Sequence, residues 1–549
     1  MSQPPLTPPL SGLKGLAENW QADLIAGFLV FLIALPLSLG IAMASGFPPM
    51  SGIIAAVIGG VVVSRISGSS VTINGPAAGL IVVILSAVQS LGPDDAMAGF
   101  RYTLAAIFVA GILQIFMGLM KAGKLNAYFP ASVVHGMLAA IGIIIMAKQI
   151  HTLLGVKPES KEIIDTILEI PHSISELNPD IALIGFSGLA IMVIWSLVRN
   201  RYLRMIPAPL IVVVTGMLFD RYFDLNHEHV YLFMPDQTFL PHHEYTIGPK
   251  FLVSIPGNIL SSLYLPDFGK FATPEFWGAV ISICLVGSLE TLLSATAVDR
   301  LDPYQRQSNL NQDLTAIGVG NMLSSAIGGL PMIAEIVRSS ANVNNGAQTG
   351  WSNFFHGALM ALFVIGFPSL VHEIPLASLA ALLVYTGFRL ASPREFAKTM
   401  VIGREQLVIF TATIMGVLAT DLLIGVLIGV SVKLMIHLAR GVPLRDLLKM
   451  SYDVHPEGED TYHIHISGSA IFANFIGLKS QLAEFPPGKR LIFDVTQASF
   501  IDHTVMEFID YFSQDYISRG GQCDIRGLEN LAPFSEHPLA ARRQNPVAP

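Results

Sequence analysis

Three ionisable side chains lie where the rest of the chain is apolar. Glu290 sits inside the run Ile281 to Ala297, and Glu335 and Arg338 stand three residues apart just after a Gly/Pro break. A charge at membrane depth is expensive and faces a partner, a cavity or an ion path. A buried carboxylate that takes up and releases a proton suits coupled transport, because protonation removes its charge. So does one that holds a sodium ion with help from Ser294, one helical turn on. A buried guanidinium sets a positive field for an anion. The plain alternative is a static ion pair of Arg338 with Glu335 or Glu290.

The elements that must position these groups are two interruptions in apolar sequence. Residues 71–79 read Val-Thr-Ile-Asn-Gly-Pro-Ala-Ala-Gly and residues 328–338 read Gly-Gly-Leu-Pro-Met-Ile-Ala-Glu-Ile-Val-Arg. Irregular backbone at membrane depth is tolerated only where protein buries it or water reaches it. Two such breaks at matching positions in two halves of a chain point to a transporter binding site. A helix that starts inside the bilayer aims free N–H groups and its positive dipole end at the ligand, which favours an anion. In the first break Pro76 is expected at the first helical position. The small side chains of Ala77, Ala78 and Gly79 leave the next N–H groups open. In the second break Ala334, Glu335 and Ile336 form the equivalent start. The bland alternative for the small residues is tight helix packing.

The composition fits. Of 549 residues 52% are hydrophobic and only 13% charged, against about 25% charged in soluble proteins. The deficit runs from Gln21 to about Leu438, and ordinary charge density returns from Pro443. The division expected is a cytoplasmic N-terminal segment 1–20, a first transmembrane repeat 21–220, an extracytoplasmic loop 221–274, a second repeat 275–440, and a linker with a soluble domain 441–549. The Pro-rich start (Met1 to Leu10) lacks the pattern of a signal peptide. Cys284 and Cys523 fall in different domains, which argues against disulfide or zinc architecture. Net charge is −8 without a dense basic run, so nucleic acid is not expected as a partner. No Gly-x-x-x-x-Gly-Lys-Ser/Thr occurs, so ATP-driven chemistry, and an enzyme reading generally, is not expected.

A membrane span needs about 20 apolar residues. Candidates are 23–44, 51–66, 75–91, 98–119, 130–150, 181–198 and 205–220, then 276–298, 313–327, 333–344, 352–370, 374–390, 404–418 and 420–438. The third of each seven, 75–91 and 333–344, is short and reads as a half-helix. Lys and Arg placement, including Arg65, Lys121, Lys124, Arg199, Arg201, Arg204, Arg300 and Arg306 on one side, puts both termini in the cytoplasm. The loop 221–274 carries His227, His229, His242 and His243, whose spacing matches no standard metal pattern. A solvated outer loop is the expectation there.

Past Pro443, Tyr462 to Ser467 alternates like a strand, Ala470 to Leu482 has helical spacing, and Arg490 to Val495 is a second strand. Thr504 to Tyr516 is a second helix and Gln522 to Ile525 a third strand. This order predicts a small α/β domain.

In this order and spacing the residues resemble the SulP anion permease family across nearly the whole chain. The resemblance rests on Asp23-Leu-Ile-Ala-Gly27 with Pro36, on Gly75-Pro76-Ala-Ala, and on Ser288-Leu-Glu290-Thr-Leu-Leu-Ser294-Ala. It continues through Asn311-Gln-Asp-Leu, Gly320-Asn321, and Gly328-Gly-Leu-Pro331 followed by Arg338 and Asn342. It implies an α-helical polytopic membrane protein of 14 segments in two inverted seven-segment repeats, arranged as core and gate bundles, with a small cytoplasmic α/β STAS domain. It also implies an anion site between the starts of the third and tenth segments, an acidic residue at 290 that serves sodium or protons, and a homodimer. Glu335 departs from the pattern, since relatives with a sodium site have a small residue there, and Leu37 departs where many carry Gln. In the tail, Asp502-His503-Thr504 matches the phospho-acceptor loop of STAS domains. Thr504 either caps the helix or accepts phosphate as a regulatory site.

The reading that follows is a secondary active transporter of an inorganic oxyanion, of the sulfate or bicarbonate class, working by alternating access. It would be coupled to H⁺ or Na⁺ or exchange one anion for another, with no other cofactor. It would sit in the cell (inner) membrane, with the lipid bilayer and a cytoplasmic partner of the STAS domain as further contacts. The substrate-binding set is Ala77, Ala78, Gly79, Ala334, Glu335, Ile336 and Arg338. The coupling-ion set is Glu290, Ser294 and Glu335, with Na⁺ at Glu290 the one metal in view. The alternatives are a passive anion channel, in which central carboxylates would serve no purpose, and a membrane-bound anion sensor signalling through the tail.

Overall fold

The computed structural model describes residues 8–124, 129–160, 162–200, 203, 206–232, 244–254, 262–458, 460–482, 485–486 and 488–544. Arg201, Arg204, His242 and His243 lie outside the described residues. The membrane region is helical. In its first half come α1 (Gly12–Ala44), α2 (Pro49–Ile58), α3 (Ile81–Leu91), α4 (Ala96–Leu119), α5 (Ala131–Leu153), α6 (Pro179–Leu197) and α7 (Ala208–Phe223). In its second half come α8 (Pro274–Leu301), α9 (Leu310–Ala326), α10 (Ile336–Asn344), α11 (Trp351–Gly366), α12 (Leu376–Leu390), α13 (Arg404–Ala419) and α14 (Leu422–Ala439). Among the described residues eight helices are long and apolar enough to cross a membrane. The third helix of each seven, α3 and α10, is among those too short to do so alone.

Each of these short helices is preceded by a strand stub, β1 (Ile73–Gly75) and β4 (Ile333–Glu335). The two stubs pair with each other antiparallel, Asn74 opposite Ala334. Antiparallel pairing of equivalent stubs is what inverted repeats require. In the long loop between the halves, β2 (His229–Leu232) and β3 (Glu244–Ile247) form a hairpin.

The chain divides into two compact units, Met1–Gly123 with Ile141–Leu390, and Lys124–Ala140 with Ala391–Pro549. The first holds both stubs. Its helices close on small residues: an added Cβ on Gly60, in the π-helical turn Gly59–Val63 that continues α2, would lie 2.5 Å from Gly357 Cα and 2.7 Å from Asn353 O on α11. Backbone atoms cannot rotate away, so glycine is required at that contact.

The second unit holds α13, α14 and the C-terminal domain. In that domain β5 (Ser451–Glu457), β6 (Thr461–Ala470), β7 (Arg490–Ile501), β8 (Gln522–Arg526), β9 (Leu531–Pro533) and β10 (Arg542–Gln544) form one six-stranded sheet. Strands β6, β7 and β8 run parallel, joined by α15 (Ile476–Leu482) and α16 (His503–Ser518). The first helix starts at Ile476, not at Ala470 as spacing predicts. Asn474 holds a tight turn before it, accepting from Ile471 N–H at 2.9 Å and donating to Ser469 O at 2.8 Å. The apolar faces of sheet and helices meet in one core around Phe475, Phe493, Ile509 and Tyr516.

The Gly60 contact is testable. Gly60→Ala should lower stability by about 1–3 kcal/mol, seen as a lower melting temperature in detergent. Gly278→Ala, whose Cβ meets nothing within 4 Å, should leave it unchanged.

Candidate functional site

The site begins with backbone that has left the helical ladder. Its N–H and C=O groups cannot go unpaired in an apolar interior. Side chains of the second half supply partners for both stubs. Asn342 donates to Val71 O at 2.9 Å and Ser339 Oγ accepts from Ile73 N–H at 2.9 Å. On the other stub, Asn321 Oδ1 accepts from Met332 N–H at 2.7 Å and Ser324 Oγ donates to Leu330 O at 2.7 Å. Gly328, at φ +95°, makes the turn into this segment, where a Cβ would be strained.

The first break differs in one respect from the expectation. Pro76 is not the first helical residue. Ala77 is still extended (φ −125°, ψ 148°), a 3₁₀ turn covers Ala78–Leu80, and regular helix starts at Ile81. The chain needs these residues to turn from the stub into the helix. The first bond of the turn is Leu80 N–H to Ala77 O at 3.2 Å, so the N–H groups of Ala78 and Gly79 lie ahead of it. Gly79 is buried against α8, where a Cβ would overlap the Glu290 carboxylate.

In the second break Ala334 lies on β4, Glu335 is the N-cap of α10, and Ile336 is its first residue. Glu335 Oε2 accepts from the backbone N–H of Arg338 at 2.6 Å. The Arg338 guanidinium is 1% exposed, and none of its three nitrogens has a hydrogen-bond partner among the described residues. No ion pair joins it to Glu335 or Glu290 there, so the static-pair alternative does not describe this arrangement. Its Nη1 lies 2.9 Å from where a Gly75 Cβ would be, which places the guanidinium against β1. Glu290 is buried, and its Oε1 has no partner either. Ser294 sits one turn along α8, part-buried, and makes no hydrogen bond to Glu290.

The structure therefore brings Gly75, Gly79, Glu290, Glu335 and Arg338 to the two crossing stubs. It adds groups the sequence did not single out. Asn74, 2% exposed, leaves its Nδ2 donor unpaired, and His356 on α11 is fully buried with both ring nitrogens unpaired. Asn74 carried a signal, one residue before Gly75-Pro76. His356 is a lone histidine in an apolar helix, a pattern that is uninformative without a neighbour. Unpaired buried donors at a converging pair of helix starts can donate hydrogen bonds to an anion. A carboxylate oxygen without a partner beside Gly79 suits a proton or a hard cation.

Thr504 lies elsewhere, in the C-terminal domain. It does not cap α16: Asp502 is the N-cap and accepts from Val505 N–H at 2.8 Å. Thr504 Oγ1 instead accepts from Lys433 Nζ at 2.9 Å.

Comparison with known proteins follows the same lines. The model of the sulfate permease family matches residues 20–413. YvdB of Bacillus subtilis (strain 168), named for sulfate transport, is 26% identical over 523 residues, covering 93% of this chain and 92% of its own length. The bicarbonate transporter BicA of Picosynechococcus sp. is 23% identical over 552 residues, covering 95% and 92%. Among solved structures, the transmembrane domain of a cyanobacterial bicarbonate transporter BicA aligns with a TM-score of 0.61 at 22% identity, over 75% of this chain and 97% of that one. The murine Slc26a9 anion transporter in its inward-facing state aligns with 0.64 at 16%, over 92% and 85%. At these identities the two structures establish the fold: a helical polytopic membrane domain in two seven-segment halves.

Gly79→Ala should push Glu290 aside and lower stability by about 1–3 kcal/mol. Combining it with Glu290→Ala should recover most of that loss in a detergent melt, because the second change removes the group the Cβ meets.

Proposed function

The chain belongs to the sulfate permease family, and from that premise we propose a secondary active transporter that moves an inorganic oxyanion, of the sulfate or bicarbonate class, by alternating access. It is a multi-pass membrane protein and an anion transporter. The observation that carries the mechanism is the Arg338 guanidinium, buried and without a partner beside β1. A buried guanidinium whose donors make no hydrogen bond is costly, and an anion seated between the stubs would relieve that cost. Ala77, Ala78, Gly79, Ala334, Glu335 and Ile336 line the approach, with backbone N–H donors supplementing the guanidinium.

Charge bookkeeping supports coupling. With Glu290 and Glu335 both ionised, one guanidinium faces two carboxylates, and an incoming anion makes the excess worse. A proton or a sodium ion on Glu290 or Glu335 removes the conflict, so anion and cation enter together. A passive channel would gain nothing from these carboxylates. In this reading the protein lies in the cell (inner) membrane with both termini cytoplasmic, pairs as a homodimer, and carries a STAS-type domain with Thr504 as a regulatory position.

Proteoliposomes loaded by imposed pH and sodium gradients provide the test. Labelled sulfate or bicarbonate should accumulate against its own gradient under one of them, with saturable flux. Flux that never exceeds equilibration under any gradient would refute active transport. Arg338→Ala should reduce uptake at least about tenfold, the effect of losing one charge-assisted contact. Glu335→Gln should flatten the pH or sodium dependence of uptake. An unchanged dependence would remove Glu335 from the coupling set.

A further inference from the structure

The last membrane helix carries a lysine that the anion site does not use. Lys433, in the apolar run of α14, is completely buried, and its ammonium lies 3.2 Å from Asp502 Oδ2 of the C-terminal domain, itself 1% exposed. The same Nζ donates to Thr504 Oγ1 at 2.9 Å and sits 4.8 Å from the ring centroid of Phe472. One turn on, His437 Nε2 lies 3.9 Å from Asp502 Oδ2, and its ring packs against Phe500 and Phe472. Asp502 is the hub. Besides Lys433 it accepts from Val505 N–H at 2.8 Å, which caps α16, and from Phe472 N–H at 2.9 Å, which fixes the turn after β6.

We propose that Lys433, Asp502 and Thr504 form a buried charge clasp by which the C-terminal domain grips the last membrane helix and sets the turnover of transport. A dry ion pair is no more stabilising than a packed apolar contact of the same size. Its physical use is to fix one arrangement, because every other arrangement strands two charges in a low-dielectric place. Here the arrangement fixed is that of α14 against the loop 502–504, across a connection of only eleven residues, 440–450. Burial alone would raise the Asp502 carboxyl. Lys433, His437 and the N–H groups of Val505 and Phe472 outweigh it and hold Asp502 below the ordinary aspartate value, so the carboxylate stays ionised at neutral pH. A helix pinned to a folded domain moves with that domain. None of the clasp atoms belongs to the anion site, so the clasp acts on the conformational step rather than on anion affinity.

The inference rests on the transport reading, and the experiment separates the two. Full-length protein is reconstituted in proteoliposomes, and Vmax and KM for sulfate and for bicarbonate are measured in wild type, Lys433→Met and Asp502→Asn. Hydrogen exchange over residues 500–516 is measured in parallel. Asparagine keeps a capping oxygen for Val505 N–H and nearly the same volume, but sets an NH2 against Lys433 and the Phe472 N–H, so Asp502→Asn opens the clasp without removing the cap if Lys433→Met fails to fold. The expected result is a fall in Vmax of about fivefold or more with KM within about twofold. Exchange in 500–506 should be faster by about tenfold, and the double variant should be no worse than either single one. Unchanged Vmax, a change carried by KM, or additive effects would overturn the clasp. Absence of transport by the wild-type protein would overturn the transport reading instead, and faster exchange in the variants would then still report the contact.

Discussion

The site depends on one constraint: a chain that leaves the helix inside an apolar interior must pair every backbone group it frees. The two stubs meet it in two ways. They pair with each other, Ile73 opposite Glu335 through Gly75 opposite Ile333. They also borrow side chains, Ser339 and Asn342 for the first and Asn321 and Ser324 for the second. All four lie on helices of the second half, and two of them, Ser339 and Asn342, reach into the first. The two breaks therefore cannot form independently. The second half supplies side chains to both breaks, the first half gives Ser51 O to Leu330 N–H at 3.0 Å, and the point where the stubs cross is fixed by hydrogen bonds rather than by packing alone.

That fixed crossing lets the chain leave other groups open. With the stubs paired, side-chain atoms around them stay without a hydrogen-bond partner among the described residues, including the Arg338 guanidinium, Asn74 Nδ2, Glu290 Oε1 and the His356 ring. A site that shuttles an ion needs such groups, because a charge already committed to a partner has to be released before it can bind. Glu335 shows the balance. One of its oxygens caps α10 through the Arg338 N–H, which ties its position to that of the guanidinium without joining the two charges directly.

Much of this was legible in the sequence, and the reasons differ by element. The apolar runs gave the membrane helices, since 20-residue hydrophobicity is a bulk property that packing does not alter. The breaks were visible as Gly75-Pro76 and Gly328 to Pro331, and the acidic and basic residues as charges out of place. What stayed hidden depends on contacts between distant residues. Nothing local to Ile333 or Ile73 says that each belongs to a three-residue strand, because the partner lies about 260 positions away. Pro76 reads as a helix start by propensity, yet with Gly75 paired to Ile333 the chain is still extended at Ala77, and regular helix is delayed to Ile81. His356 looks like any buried histidine until its missing partners are known. In the C-terminal domain β6 showed an alternating pattern and β7 an apolar run. Edge strand β5 alternates only briefly, Tyr452 and Val454 half-buried between exposed Asp453 and His455, and the short β9 and β10 carry too few residues to show a pattern.

The chain handles buried charge in two opposite ways, and the contrast separates function from architecture. On α8 and α10 the charges Glu290 and Arg338 are left without hydrogen-bonded partners at some atoms. On α14 Lys433 is fully engaged, by a carboxylate, a hydroxyl and an aromatic face. Both bury a charge at a cost. The first arrangement is stable only if something from outside completes it, which describes a binding site. The second is complete within the chain and strands two charges the moment it opens, which describes a fastening. Sequence shows only that the charges are there. It is the presence or absence of a partner, a property of the fold, that tells a site for an ion from a contact that holds two elements together.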